Sequence, residues 1–540
     1  MPGWNIGDVF EAVARARPEA TAQIQGNREI TWAEHDRRAD GIVATLLEAG
    51  AKRQSKVAQY LYNCPEYFES LTACFKGSFV PVNTNYRYVD REILYLWDNA
   101  DVFAVVFHGG FAEMIEGLRT RLPAIRLWLW VDDGSGPCPS WATPYETAAG
   151  SVESRPELPW QRDGDDLLLL YTGGTTGMPK GVMWRQDDLF RVGNRGRLPE
   201  PYDLDKGLAG IRDQVVEEGG GRIALPACPL MHGTGLLTGL FTLINGGTVV
   251  NLESRRFDPV EMLDTIEARR VEGTAIVGDA FARPILAALD GEPDRWDISS
   301  LLGITSSGTM WSAECKRGLL RHHPDMILRD GLGSSEALGM GLSESTGDSA
   351  TKTARFELGE DACVLTDNGE VVEAGSGIRG RLAVSGFLPV GYYKDEEKTA
   401  RTFPVIRGTR YSIAGDYATV EADGTITLLG RGSVCINTGG EKVFPEEIEE
   451  TLKRHPAVED AACVGVPHPR FGEAITAIVQ LLPDPGADES ELIRHVKSEL
   501  AAYKAPKRVL VVDSLERAPS GKLDYAGLRE RAISKIAGRW

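Results

Sequence analysis

The stretch Leu167 to Trp184, LLLLYTGGTTGMPKGVMW, carries the most concentrated chemistry in the chain. Four leucines and a tyrosine predict a buried strand. Thr172, Gly173, Gly174, Thr175, Thr176 and Gly177 follow in a row, with Lys180 shortly after. Glycines let backbone N–H groups approach an anion closely, and threonine hydroxyls add donors. The set suits a polyphosphate, with Lys180 as a point charge beside it. A plain Gly-rich turn is the competing reading. A run of small and hydroxyl residues closing on Pro-Lys-Gly favours phosphate. The loop is not of the Walker A type, because Pro179 precedes Lys180 and Gly181 follows it. No Ser or Thr follows the lysine, so a metal must be held elsewhere.

Such a loop works only if the elements around it are rigid. Thr31 with Glu34 three residues on forms a capping box, and Ile42, Val43, Leu46 and Leu47 then fall at helical spacing. Residues 8–50 therefore predict helix, hairpin, helix. Lys56–Leu61, Phe79–Val82, 105–107 and 127–132 predict strands, and Pro65–Gly77 an amphipathic helix. Alternation of this kind argues for an α/β fold with largely parallel sheets. Pro81–Tyr88 is a polar, aromatic loop expected to serve packing, with the lining of a site as the alternative. Residues 133–163 suit a surface excursion, and the charged segment 185–220 a mobile insert. Asp279 is expected to cap the helix that follows it.

The chain has 540 residues and a net charge of −19. That length suits roughly two to four domains, and the charge argues against nucleic acid or an anionic membrane surface as partner. Any polyanionic substrate must then meet a local basic site. The eight cysteines are scattered with no CxxC pair, which suits free thiols in a reducing cytoplasm. No apolar run approaches the roughly 20 residues of a membrane span, and the first residues lack the apolar core of a secretory leader. A cytoplasmic protein is expected.

Further motifs follow in order. Ser306-Ser307-Gly308-Thr309 is a second glycine–hydroxyl loop after a strand, and Asp330-Gly331-Leu332-Gly333-Ser334-Ser335-Glu336 follows a third. Gly391-Tyr392-Tyr393-Lys394, Tyr411 to Asp416, Gly430-Arg431-Gly432-Ser433, Gly439-Gly440-Glu441-Lys442 to Glu449, and Pro519-Ser520-Gly521-Lys522 complete the set. Together with the threonine-rich loop these resemble the adenylate-forming superfamily over about residues 30–530, in its acyl-CoA synthetase branch. They are similar to actinobacterial ligases for fatty acids and sterol side-chain acids.

The resemblance implies an α/β fold: a large N-terminal domain (1–431) of two α/β sheet subdomains plus a β-rich subdomain, and a small mobile α+β C-terminal domain (432–540) hinged near Ser433. It implies ATP, Mg2+ and coenzyme A as cofactors. Thr172, Gly173, Gly174, Thr175, Gly177, Lys180, Ser307, Gly308, Asp330, Gly331, Leu332, Gly333, Ser334, Ser335, Asp416 and Arg431 would bind the nucleotide. Asp416 would take the ribose hydroxyls, with Arg431 beside it. Leu332 stands where an aromatic ring usually stacks on adenine, and Ser335 replaces a Thr while keeping its hydroxyl. Lys522, Glu336 and Thr176 form the catalytic set. Its place in the motif makes Glu336 the expected magnesium ligand, hard carboxylate oxygen suiting that ion, and Lys522 would stabilise the charge that builds at the α-phosphate. His232, Phe281, Gly303, Gly308 and Gly333 would line the acyl pocket, with Gly339 and Gly341 nearby. His232 has a purely structural reading as well. Gly439, Gly440 and Lys442 would face coenzyme A.

The expected activity is an AMP-forming acid–thiol ligase acting on a medium- or long-chain fatty acid or a sterol-derived acid, with an aryl acid as alternative. An enzyme loading a carrier protein, a luciferase-like oxygenase and a non-catalytic ATP-binding protein are the rivals. The residues leave the oligomeric state open, a homo-oligomer included.

Overall fold

The computed structural model describes residues 3–172, 178–194, 204–217, 219–308, 311, 313–347, 355–431, 436–439, 441–443, 445–482, 486–516 and 525–536. The chain divides into two compact units. The larger comprises 1–86, 97–171 and 181–429; the smaller comprises 87–96, 172–180 and 430–540.

Among the described residues the larger unit is built on sheets of thirteen and eight strands. In the eight-stranded sheet, Lys56–Tyr60 lies between Val80–Asn83 and Val102–His108, all parallel, with Leu127–Val131 beyond. A parallel sheet is covered on both faces, and Leu127–Val131 is accordingly apolar and buried at every position. In the other sheet, Thr248–Asn251, Ile223–Pro226, Gly273–Ile276, Gly303–Ser307 and Ile327–Ser334 run parallel. The N-terminal strand Thr21–Gln25 joins this sheet far along the chain, with Gln23 opposite Val249. The other end of the sheet is antiparallel and carries the β-rich part, from Ala337–Ser345 to Ala362–Leu365.

One apolar core holds side chains from both sheets: Val57, Leu129 and Leu168 from one, Ala22 and Val249 from the other. The helices Ile6–Ala16, Pro65–Lys76 and Gly233–Ile244 add buried side chains to the same core. Pro65–Lys76 is therefore not amphipathic as expected, for all of its residues are buried. Its polar groups are met internally: Glu69 takes Arg38, and Lys76 takes Asp36 and Asp40. Thr31 caps Trp32–Glu48 as expected, its Oγ1 accepting from Glu34 N at 3.1 Å.

The segment 185–220 departs from expectation. Its described part contains two helices, Gln186–Gly193 and Leu204–Glu217. Ile211 and Val215 of the second are buried in the main core. Their i, i+4 spacing is a helical stripe that the surrounding charges mask in the sequence.

The smaller unit has an antiparallel core sheet, Glu441–Val443, Ile436–Thr438, Gly472–Leu481 and Val458–His468, with Arg508–Val512 parallel to Gly472–Leu481. Alternation along Val458–His468 sends Ala461 and Cys463 to one core and Ala462, Val464 and Val466 to another. Asp488 caps Glu489–Glu499, which buries Leu492 and Val496. Within the same unit Lys504 Nζ donates to Glu92 Oε1 at 2.7 Å, with both side chains at most 2% exposed. Among the described residues no helix is long and apolar enough to cross a membrane, and seven free cysteines are present.

Candidate active site

In the thirteen-stranded sheet, Ile223–Pro226 has Thr248–Asn251 on one side and Gly273–Ile276 on the other. The strand order therefore reverses between Ile223–Pro226 and Gly273–Ile276. Ligands of open α/β sheets bind outside the carboxyl ends of the strands at such a reversal. The two segments leaving those ends are 227–232, which closes on His232, and 277–278, which leads into the helix Asp279–Gly291 with Phe281. The first is held to the neighbouring strand, where Ala227 N donates to Ala275 O at 3.0 Å. Cys228 packs with Ala275 and Val277, and Phe281 lies against them. Phe281 also touches Phe257, ring centroids 4.6 Å apart. His232 is half-buried and caps Gly233–Ile244 without a side-chain cap bond.

Two asparagines fix the 227–232 segment: Asn63, which follows the strand Lys56–Tyr60, and Asn83, which closes Val80–Asn83. Asn63 Nδ2 donates to Cys228 O at 3.1 Å, while its Oδ1 accepts from Leu230 N at 2.8 Å. Asn83 Nδ2 donates to Met231 O at 2.7 Å and to Tyr171 O at 3.0 Å; its Oδ1 accepts from Tyr171 N at 2.7 Å. Asn83 thus ties the residue before His232 to the residue before Thr172. Sequence reasoning gave the 81–88 segment a packing role and missed this. The available signal was a polar residue closing a buried strand.

The hairpin Ile327–Ser334/Ala337–Ser345 supplies the third wall. Asp330 pairs in register with Ser306 and Gly331 with Ser307, which brings the two glycine–hydroxyl segments side by side. Ser306 Oγ also accepts from Gly278 N at 2.9 Å. A Cβ built on Gly233 would lie 4.0 Å from Ser335 Oγ, so the hairpin tip stands beside the turn that follows His232. Asp330 is paired with Lys316, whose ammonium sits 5.4 Å from the Trp311 ring centre. Burial pushes the Asp330 carboxyl up, Lys316 pulls it back down, and Asp279 nearby pushes it up again.

The sequence profile described as AMP-binding enzyme matches residues 10–393, and the AMP-binding enzyme C-terminal domain matches 447–522. The chain belongs to the AMP-binding enzyme family. It is 39% identical over 529 residues to a "Medium/long-chain-fatty-acid--CoA/3-oxocholest-4-en-26-oate--CoA ligase" of Mycolicibacterium smegmatis, covering 96% of this chain and 95% of that protein. It is also 39% identical over 540 residues to a "3-oxocholest-4-en-26-oate--CoA ligase" of Rhodococcus rhodochrous, covering 98% and 96%. The solved amide bond synthetase of Marinactinospora thermotolerans shares the fold, with a TM-score of 0.79 at 24% identity over 97% of this chain and 99% of that one.

In this AMP-binding enzyme several of the expected site residues also have packing or backbone reasons for their type. Gly303 opens the strand that Ser307 closes, about 13 Å away at ~3.3 Å per residue. A Cβ on Gly303 would lie 2.6 Å from Ile327 O, so close strand packing accounts for the glycine at this end of the strand. Gly341 is likewise a packing glycine, since a Cβ there would lie 2.9 Å from Glu357 O. Asp279 is not the helix cap; Gly278 is, and Asp279 instead pairs with Arg283 at 3.0 Å. Leu332 packs against the apolar core of the β-rich part. Gly439 (φ +59°) opens the turn between paired Thr438 and Glu441, a position that favours glycine by its backbone alone.

Thr172 closes the strand Leu167–Thr172 and Lys180 opens Lys180–Arg185. Asp416 opens Asp416–Val420 after Gly415 (φ +98°), and Arg431 closes Ile426–Arg431. Lys442 lies on Glu441–Val443. Gly173, Gly174, Thr175, Thr176, Gly177, Thr309, Ser433, Gly440 and Lys522 lie outside the described residues.

A magnesium site can be tested against the donors present. Among the described residues no three His, Cys, Asp or Glu side chains gather into a cage. Magnesium needs no such cage: it keeps several waters and binds through one or two carboxylates plus substrate phosphates. Glu336, at the hairpin tip, accepts from Tyr392 Oη at 2.7 Å on Oε1. One hard, anchored carboxylate fits that demand.

Proposed function

We propose that this AMP-binding enzyme is an ATP-dependent acid–thiol ligase that activates a medium- or long-chain fatty acid or a sterol side-chain acid. A carboxylate oxygen attacks the α-phosphorus of ATP, the bond to the β-phosphate oxygen breaks, and pyrophosphate leaves with that electron pair. The resulting acyl-adenylate carries AMP, a far better leaving group than the original carboxylate oxygen. The coenzyme A sulfur then attacks the acyl carbonyl, AMP departs, and a thioester remains.

The observation that carries this reading is the convergence at the strand-order reversal. The acyl-side segment ending at His232 and the phosphate-side hairpin ending at Ser335–Glu336 lie against one another there. His232 and Phe281 would contact the acid, Ser307, Gly308 and Asp330–Ser335 the nucleotide, and Asp416 with Arg431 the ribose. The 172–180 loop would take the β- and γ-phosphates. Lys522 would neutralise charge at the α-phosphate during adenylation, a preorganised electrostatic role. Bound magnesium would offset phosphate charge, with Glu336 as its protein ligand. Turning of the small domain about Ser433 between half-reactions would withdraw Lys522 and present Gly439, Gly440 and Lys442 to coenzyme A. A cytoplasmic location suits these substrates.

The choice of acid follows the curated relatives, which are named for such acids and match nearly the whole chain. Pyrophosphate release measured across fatty, sterol-derived and aryl acids, with and without coenzyme A, tests the proposal. Release with fatty or sterol acids and thioester formation on adding coenzyme A are expected. Release without any thioester would point to a carrier-protein acceptor, and no release with any acid would end the enzymatic reading.

A further inference from the structure

The turn that carries Glu336 is held from the neighbouring sheet by two aromatic donors. Trp184 Nε1 donates to Ser335 O at 2.9 Å, and Tyr392 Oη donates to Glu336 Oε1 at 2.7 Å. Trp184 is fully buried and Tyr392 is 4% exposed. They stand on adjacent strands, Lys180–Arg185 and Gly391–Tyr392, with Tyr392 opposite Val182 and Gly391 opposite Met183. Val182 and Trp184 are two residues apart and share a face, so Tyr392 and Trp184 are diagonal neighbours on one side of the sheet.

Tyr392 is itself braced. Its backbone N donates to Thr399 Oγ1 at 2.8 Å, and Thr399 Oγ1 donates to Asp395 O at 2.7 Å. The Lys398 ammonium lies 4.3 Å from the centre of its ring, which favours the phenol as a donor by drawing electron density from it. Gly391 has no room for a side chain, since a Cβ would meet Thr399 Cγ2 at 2.4 Å. The phenol is thus fixed in place on several sides.

We propose that Tyr392 is a positioning residue for magnesium: by holding Glu336 Oε1 it sets the plane and rotamer of that carboxylate, while Trp184 fixes the backbone beneath it. The inference rests on reading Glu336 as the metal ligand. A hydrogen-bond partner behind a ligating carboxylate typically governs metal affinity by about 10- to 100-fold.

The test uses the full-length enzyme with ATP and Mn2+, free Mn2+ being counted by its electron paramagnetic resonance signal. Tyr392→Phe removes one oxygen and keeps the ring. About a tenfold weaker Mn2+ affinity in the presence of ATP is expected, with the Mg2+ concentration for half-maximal pyrophosphate release rising in parallel. Glu336→Gln should weaken Mn2+ at least as much, and adding Tyr392→Phe to it should change little further. Mn2+ affinity lowered by Glu336→Gln but untouched by Tyr392→Phe would overturn the inference and leave the metal reading standing. Mn2+ affinity untouched by Glu336→Gln would overturn both. Additive losses in the double variant would also overturn it, because they would mean that Tyr392 acts elsewhere than through Glu336.

Discussion

Replacing Asn83 by alanine should uncouple the two halves of the site. The side chain is 5% exposed and makes three hydrogen bonds, to Tyr171 O, Tyr171 N and Met231 O. A buried hydrogen bond contributes about 1 kcal/mol net, and a stranded buried partner costs about 1–3 kcal/mol. Loss of all three therefore predicts about 3 kcal/mol of destabilisation, read as a lower urea midpoint. The catalytic effect is separable from this. Asn83 sets the register of the strand end before Thr172 against the segment ending at His232, and misplacement of a site element by about 1 Å costs about 10²-fold in rate. Steady-state pyrophosphate release, measured well below the unfolding transition, should then show kcat reduced by about 10- to 100-fold. Asn83→Asp would keep the acceptor for Tyr171 N but set a carboxylate against two carbonyl oxygens, and should be no better. An Asn83→Ala enzyme that is less stable yet turns over at the wild-type kcat would refute the reasoning, since the asparagine would then serve packing alone.

Lys522→Ala should abolish pyrophosphate release while largely sparing thioester formation from supplied acyl-adenylate; equal loss of both half-reactions would remove this lysine from its assigned step. Lys504→Met should destabilise the enzyme by about 3–5 kcal/mol in urea unfolding, because it leaves Glu92 buried without its ammonium partner. His35 provides a pH test. Burial lowers its pKa from 6.5 to about 3, with Nδ1 against Gln23 and Nε2 against Thr72. The unfolded chain takes up this proton below about pH 6.5 and the folded chain does not. The stability contribution is therefore complete above about 6.5 and falls as pH drops towards 3, by about 2 kcal/mol at pH 5. His35→Gln should flatten that part of the stability profile between pH 7.5 and 5.

The motifs were more legible than the residues that hold them. Glycine–hydroxyl runs and the Glu336 turn are local signals, and each lies where a strand of the described fold ends. Thr31 was readable as a cap because a cap needs only its own next few residues. Asn63, Asn83, Trp184 and Tyr392 were not readable, since their partners lie between 56 and 167 residues away. The same limit explains Pro65–Lys76: periodicity suggested one solvent face, but both faces are covered by elements distant in sequence. Gly303 is ambiguous in sequence because a missing side chain looks alike in a pocket wall and in the tight strand pairing found here. In 185–220 surface charge concealed a short apolar stripe.

The pairing of Gln23 with Val249 has a kinetic consequence. During synthesis at roughly 5–20 residues per second, the first hairpin waits about 10 to 45 s for the strand it must join. Its outward backbone groups stay open to any other extended chain throughout that interval. Fragments truncated before residue 248 should therefore precipitate rather than fold, and slow translation late in the message should raise demand for chaperones.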